Sequence, residues 1–175
     1  MSTSQTHTTP ALPTGSWRLD PERTTVTVTA TKLGFYKVPA TIAVVSGTIE
    51  IDADHQVAGV EVVADAASYT SANPKRNDHV RSADFLDAEQ HPELVFRADR
   101  AEPTGTGYRA TGSVTVKGRT VELGVEIGDV EFDDQQGSFT ASATIDRTAI
   151  GVDKLPSLVI GNDLLLTVTA VATTD

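Results

Sequence analysis

Threonine and small aliphatic residues alternate along much of this chain, beginning with T-V-T-V-T-A-T at residues 25–31, where Val26, Val28 and Ala30 share one face. A period of two is that of a strand with one buried side. The alternation returns at residues 108–116, 121–127, 139–145 and 164–170, and aliphatic stretches at 42–51, 57–64 and 94–98 bring the expectation to about eight strands. Turn-forming clusters such as DADHQ, EPTGTG, KGR and DDQQG divide them. Short connections between one-sided strands define an antiparallel meander, and closing it removes the exposed edges. The expected fold is therefore all-β, an eight-stranded antiparallel up-and-down barrel, with a two-sheet sandwich as the alternative.

Residues 73–90, NPKRNDHVRSADFLDAEQ, break this pattern between the third and fourth strands. The punctuation is helical: Asn73 suits an N-cap, Pro74 the first helical position, and Asp84 the start of another short turn before Pro92. Hairpin loops need only about 2–5 residues, so a connection of this length reads as a functional segment or a lid.

The inward positions include many small residues: Ala30, Ala110, Gly112, Ala141, Ala143 and Ala170. An eight-stranded barrel is either filled by its side chains or holds one small ligand, and spacing leaves both outcomes open. In the hollow case the wall offers few hydrogen-bonding groups, so the guest is a flexible hydrocarbon held by area burial. Roughly 400 Å² of buried tail would supply about 10 kcal/mol before ordering costs.

Lys and Arg total 14 against 24 Asp and Glu, a formal charge of −10 that repels nucleic acid and anionic membrane surfaces. Nucleic acid is thus not an expected partner. No run approaches the roughly 20 apolar residues of a span, so stable membrane insertion is not expected either. Cysteine is absent, which removes disulfides and thiolate chemistry. The start, MSTSQTHTTPALPTG, lacks the basic and apolar regions of a secretory signal, so residues 1–15 are expected to form a flexible tail before one domain at 16–175, in the cytoplasm. His7, His55, His79 and His91 have no metal-site spacing, and no G-x-S-x-G, P-loop or G-x-G-x-x-G occurs, so neither a metal nor a cofactor is expected.

Against this acidic background the insert carries Lys75, Arg76, His79 and Arg81 on about two helical turns. Lys75 and His79, four apart, share one face with Arg76 beside them. Such a cluster at a barrel rim can hold a phosphate or carbonyl head group. It can equally form ordinary ion pairs with Asp78, Asp84, Asp87 or Glu89, and His79 can be a structural residue or half of an acid/base pair with Asp78 or Glu89.

Several stretches resemble the YceI-like family, lipocalin-like proteins that bind polyisoprenoids. WRLDPERTTVTV (17–28) is similar to its opening W-x-x-D-P-x-x-S-x-V, with Thr24 in the serine place. Arg76, His79, Arg81, Ser82, Asp84 and Phe85 fall where the family shows R-D-x-H-L-R-S-x-D-F, followed by Pro92 and a strand reaching Phe96. GSVTVKGRTVEL (112–123) is similar to G-x-L-T-x-x-G-x-T, and IDRTAIG (145–151) to N-R-x-x-F-G. The resemblance implies an extended lipocalin-like barrel with a short helical insert, a long apolar cavity, and non-catalytic binding, transport or storage of an isoprenoid or fatty-acid-like lipid. Polyprenyl phosphate and isoprenoid quinone are the leading ligands, with a link to stress response and a homodimer as a further expectation. By the same match Arg76, His79 and Arg81 face the ligand head, while Phe85 and Leu86 plug the apolar side. The alternatives are a filled barrel working through its surface and an acid/base enzyme using His79. Asn77 stands where the family motif has Asp, and Ile150 where it has Phe.

Overall fold

In a computed structural model, which describes residues 12–152 and 161–174, the alternating segments wind into one antiparallel sheet that closes on itself. The barrel strands are β2 (Thr25–Lys32), β3 (Tyr36–Ile51), β4 (Val57–Asp65), β6 (Glu93–Pro103), β7 (Tyr108–Val116), β8 (Arg119–Phe132), β9 (Gln136–Asp146) and β10 (Asp163–Thr174). Because β10 pairs with both β9 and β2, the eight-stranded circuit has no open edge, and the sandwich alternative is ruled out. Two short strands lie outside the circuit, β1 (Gly15–Leu19) and β5 (Thr70–Ser71).

The expected strand at 108–116 is found residue for residue, with Tyr108, Ala110, Val114 and Val116 buried. Others run longer than their aliphatic runs. β3 begins at Tyr36, six residues before the expected start, because Lys37, Pro39 and Thr41 face outward around Ala40. β1 was not foreseen, being too short to display a period. It pairs with the end of β10 through Trp17↔Thr174 and with the end of β3 through Trp17↔Ile49.

That cross-pairing seals one end of the barrel. Trp17 is fully buried, packs edge-on against Phe132 at 5.0 Å, and donates from Nε1 to the Pro13 carbonyl at 3.1 Å. Leu12 is buried beside it, and its carbonyl lies 2.8 Å from His55 Nδ1. The expected tail thus divides: residues 1–11 lie outside the described residues, whereas residues 12–15 belong to the sealed end. The loops from β3 to β4, β6 to β7 and β8 to β9 emerge here. At the opposite end lie the β2–β3 and β7–β8 turns and the long insert between β4 and β6.

Within the insert a single helix forms, α1 (Pro74–Arg81), capped by Asn73, whose side-chain oxygen accepts from the amides of Lys75 and Arg76 at 3.0 and 3.3 Å. The second short turn expected from Asp84 is a series of tight turns, in which Leu86 N–H donates to the Val80 carbonyl at 2.9 Å and Asp87 takes a positive φ of 49°. β5 pairs with Ala40 and Thr41 of β3 and so moors the insert to the rim.

Candidate functional site

The alternation that builds the strands also decides what lies inside. Val26, Val28 and Ala30 of β2, Leu123, Val125 and Ile127 of β8, and Leu164, Leu166 and Val168 of β10 all point to a shared interior, and they leave it hollow. The cavity holds about 590 Å³, within the roughly 300–1,000 Å³ typical of small-molecule sites. Along β2 and the residue before it the wall runs from Thr24 to Lys32, about 27 Å along the chain and roughly 20 Å down the axis at ordinary barrel tilt.

Four of the six small inward residues, Ala30, Ala110, Ala141 and Ala143, belong to this wall and make its room. The other two do not. Ala170 is packed into the sealed end with Trp17. Gly112 permits a close approach of β6, because a Cβ there would lie 2.1 Å from the Arg97 carbonyl oxygen.

The insert places its side chains in three different settings. Phe85 and Leu86 are buried and complete the cavity wall beside Val80. Arg76 and His79 also reach the wall, with Lys75 next to them. Arg81 turns away: its Nε donates to the Tyr69 carbonyl at 2.9 Å, its Nη2 donates to the same oxygen, and Asp78 stands 3.9 Å from Nη1. Arg81 therefore ties the helix to the chain leading into it and is not among the cavity-wall residues.

Arg76 is half-buried, and among the described residues no carboxylate or carbonyl pairs with its guanidinium. Its charge is felt by Tyr69, whose phenol is pushed up by burial while the Arg76 charge pulls the other way. His79 Nε2 lies 3.5 Å from Asp84 Oδ2, and its ring meets Phe85 edge-on at 4.7 Å. The carboxylate facing this histidine is Asp84, not Asp78 or Glu89.

Asn77 is buried behind the helix. Its side-chain oxygen accepts from Ser71 N–H at 2.7 Å and Ser71 Oγ at 2.6 Å, and its Nδ2 donates to the Ser71 carbonyl at 3.3 Å. An ionised aspartate could accept but not donate here, which accounts for asparagine where the resembling motif carries aspartate.

Two wall cations had not been singled out. Lys32 ends β2 at the rim, where nothing in the alternation distinguishes it. Arg147, in the IDRTAIG stretch, is almost fully buried and donates to the carbonyls of Val152 at 2.8 Å and Gly161 at 3.0 Å. With these included, the charged wall residues are Lys32, Lys75, Arg76 and Arg147, joined by His79, and among the described residues the wall contains no Asp or Glu. The wall residues that are themselves exposed are Lys32, Asn73, Lys75 and His79, so they mark the mouth. Among the described residues no three histidine or carboxylate side chains gather as a metal-ligand set.

A closed antiparallel barrel with a deep apolar interior and a cationic mouth defines a hollow ligand-binding barrel. The chain belongs to the YceI-like domain family, whose model matches residues 17–172. It is 30% identical over 105 residues to a UPF0312 protein of Pectobacterium atrosepticum, covering 57% of this chain and 55% of that protein. With the YceI protein of Escherichia coli it shares 27% identity over 119 residues, covering 65% and 62% of the two chains. The matches thus span roughly half to two thirds of these relatives' lengths. Burkholderia cenocepacia BcnA has the same fold, with a TM-score of 0.77 at 22% identity over 89% of this chain and 99% of BcnA. A polyisoprenoid binding domain from Saccharophagus degradans, implicated in plant cell wall breakdown, matches at a TM-score of 0.65 and 11% identity, over 91% and 98% of the chains.

Proposed function

We propose that the barrel binds, without chemical conversion, a long-chain amphiphile with an anionic head, and that an isoprenoid phosphate suits it best. The observation that carries this reading is the sign of the wall. Among the described residues every fully charged side chain lining the cavity is a cation, in a protein whose net charge is −10. The polyisoprenoid-binding function of the Saccharophagus domain, which shares this fold, is in keeping with an isoprenoid tail.

Energetics divide the work between tail and head. Burying roughly 400 Å² of tail contributes about 10 kcal/mol, while association costs about 4–15 kcal/mol in lost freedom. The tail then provides attachment with little choice among hydrocarbons, and the head contacts decide selection. An isoprenoid quinone would fit the same wall but leave Arg76 and Lys75 without a counter-charge. Reversible binding of this kind serves storage or transport, and it calls for no metal or nucleotide.

The test is extraction of the purified protein followed by mass spectrometry, together with titration of a prenyl phosphate and the prenol of equal length. The phosphate is expected to bind at least tenfold more tightly, with a difference that shrinks in high salt. Equal affinities would assign a neutral head. Failure of both lipids, with no co-purifying lipid, would favour the surface-interaction reading.

A further inference from the structure

The tip of the β2–β3 hairpin carries an apolar cluster that folding does not require. Leu33 is 50% exposed, Phe35 70% and Tyr36 55%, and the two aromatic rings lie 4.4 Å apart, in contact with one another. Leu33 and Gly34 have φ of 54° and 84° in a turn closed by Phe35 N–H donating to the Lys32 carbonyl at 3.2 Å. The first of these positions favours Asn, Asp or Gly. Leucine there works against the turn while contributing nothing to the core.

The tip adjoins the cavity mouth, since Lys32 and Val38, on either side of it, both line the cavity. Lys32 and Lys37 flank the apolar cluster, and no Asp or Glu occurs anywhere between Glu22 and Glu50. Each lysine among the described residues, Lys32, Lys37, Lys75 and Lys117, lies at this end of the barrel. The carboxylates at this end include Asp65, Glu93, Asp146 and Asp163 at strand ends and those of the insert, where Asp78 faces Arg81 and Asp84 faces His79, and none lies on the hairpin itself. The turns at the sealed end instead carry Asp20, Glu22, Asp52, Asp54, Asp133 and Asp134. They stand roughly 25–40 Å away along the axis, about three or more Debye lengths at about 8 Å each. The charge of those acidic turns is thereby screened from whatever the hairpin touches.

We propose that this hairpin tip docks the barrel, mouth first, on a bilayer surface containing anionic lipid. Leu33, Phe35 and Tyr36 enter the interfacial layer, and Lys32 and Lys37 pair with lipid phosphates. A bilayer so placed is the source of the cavity's amphiphile, and in that respect alone the inference rests on the proposed function.

Sedimentation with phosphatidylcholine vesicles, with and without phosphatidylglycerol, tests it. Wild type is expected to sediment with the phosphatidylglycerol vesicles and to be released by salt. Phe35→Ser and Lys37→Glu should each weaken this, by about tenfold for the phenylalanine. Neither residue lines the cavity, so a short-chain prenyl phosphate added in solution should bind both variants as it binds wild type. In Phe35→Trp, against the buried Trp17, the emission should shift to the blue on those vesicles. The proposal is overturned if wild type stays in the supernatant, if Phe35→Ser sediments equally, or if the tip instead mediates a dimer that Phe35→Ser dissolves. Vesicle binding without any prenyl phosphate binding would leave docking standing and overturn the cavity reading.

Discussion

Arg76 and Arg81, five residues apart on one helix, should separate binding from stability. Replacing Arg76 with alanine removes a half-buried cation that no described carboxylate or carbonyl engages, so no partner is orphaned. Stability should change by less than about 0.5 kcal/mol, or about 2 °C in Tm for a domain of this size. If the ligand head is anionic, the lost charge-assisted contact is worth about 1.5–3 kcal/mol, which weakens prenyl phosphate binding by about 10- to 150-fold and leaves prenol nearly untouched. Arg81→Ala is the converse case. It strips two donors from the Tyr69 carbonyl at a partly exposed site, costing about 1.5 kcal/mol and roughly 3–6 °C. Calorimetry of both lipids and thermal unfolding of both variants make the comparison. The reasoning fails if Arg76→Ala binds prenyl phosphate as wild type does, or if it lowers Tm as much as Arg81→Ala.

Ala143→Phe should project a ring into the empty interior, retaining the fold while shortening the usable depth; with each lost methylene contact worth about 0.8 kcal/mol, a series of prenyl chain lengths should show the longest losing most. Asn77→Leu removes three hydrogen bonds at a buried site and orphans the Ser71 amide, so unfolding should detect a loss of about 1–3 kcal/mol. Burial pushes the phenols of Tyr69 and Tyr108 up, so the native state keeps protons that the unfolded chain releases near pH 10. Stability should therefore decline as pH rises past about 10, and Tyr69→Phe should remove part of that slope in alkaline denaturation curves.

The barrel was legible because one-sided strands repeat a simple period, and β7 shows how far that goes: its inward and outward residues follow the letters directly. Where the period is interrupted, as at Pro39, the first residues of β3 escaped notice, and around Trp17, where it is never established, β1 did. Gly112 looked like space and is instead a place where backbones touch, a distinction that depends on the neighbouring strand. In the insert, the cationic cluster was evident but its division was not. Arg81 reaches a carbonyl twelve residues earlier, and the short intervening turn that brings Tyr69 within range has no counterpart in helical spacing. Lys32 was hidden because its importance comes from where β2 stops.

The sealing of one end by β1 makes the interior a cup rather than a tunnel. Whatever enters tail first must leave head first through the same mouth, so loading and unloading cannot overlap in time. A barrel of this shape cannot serve as a conduit joining two membranes at once. A carrier of this shape would have to alternate between them, emptying before it refills, and its turnover would be limited by how fast a long tail backs out of a blind channel.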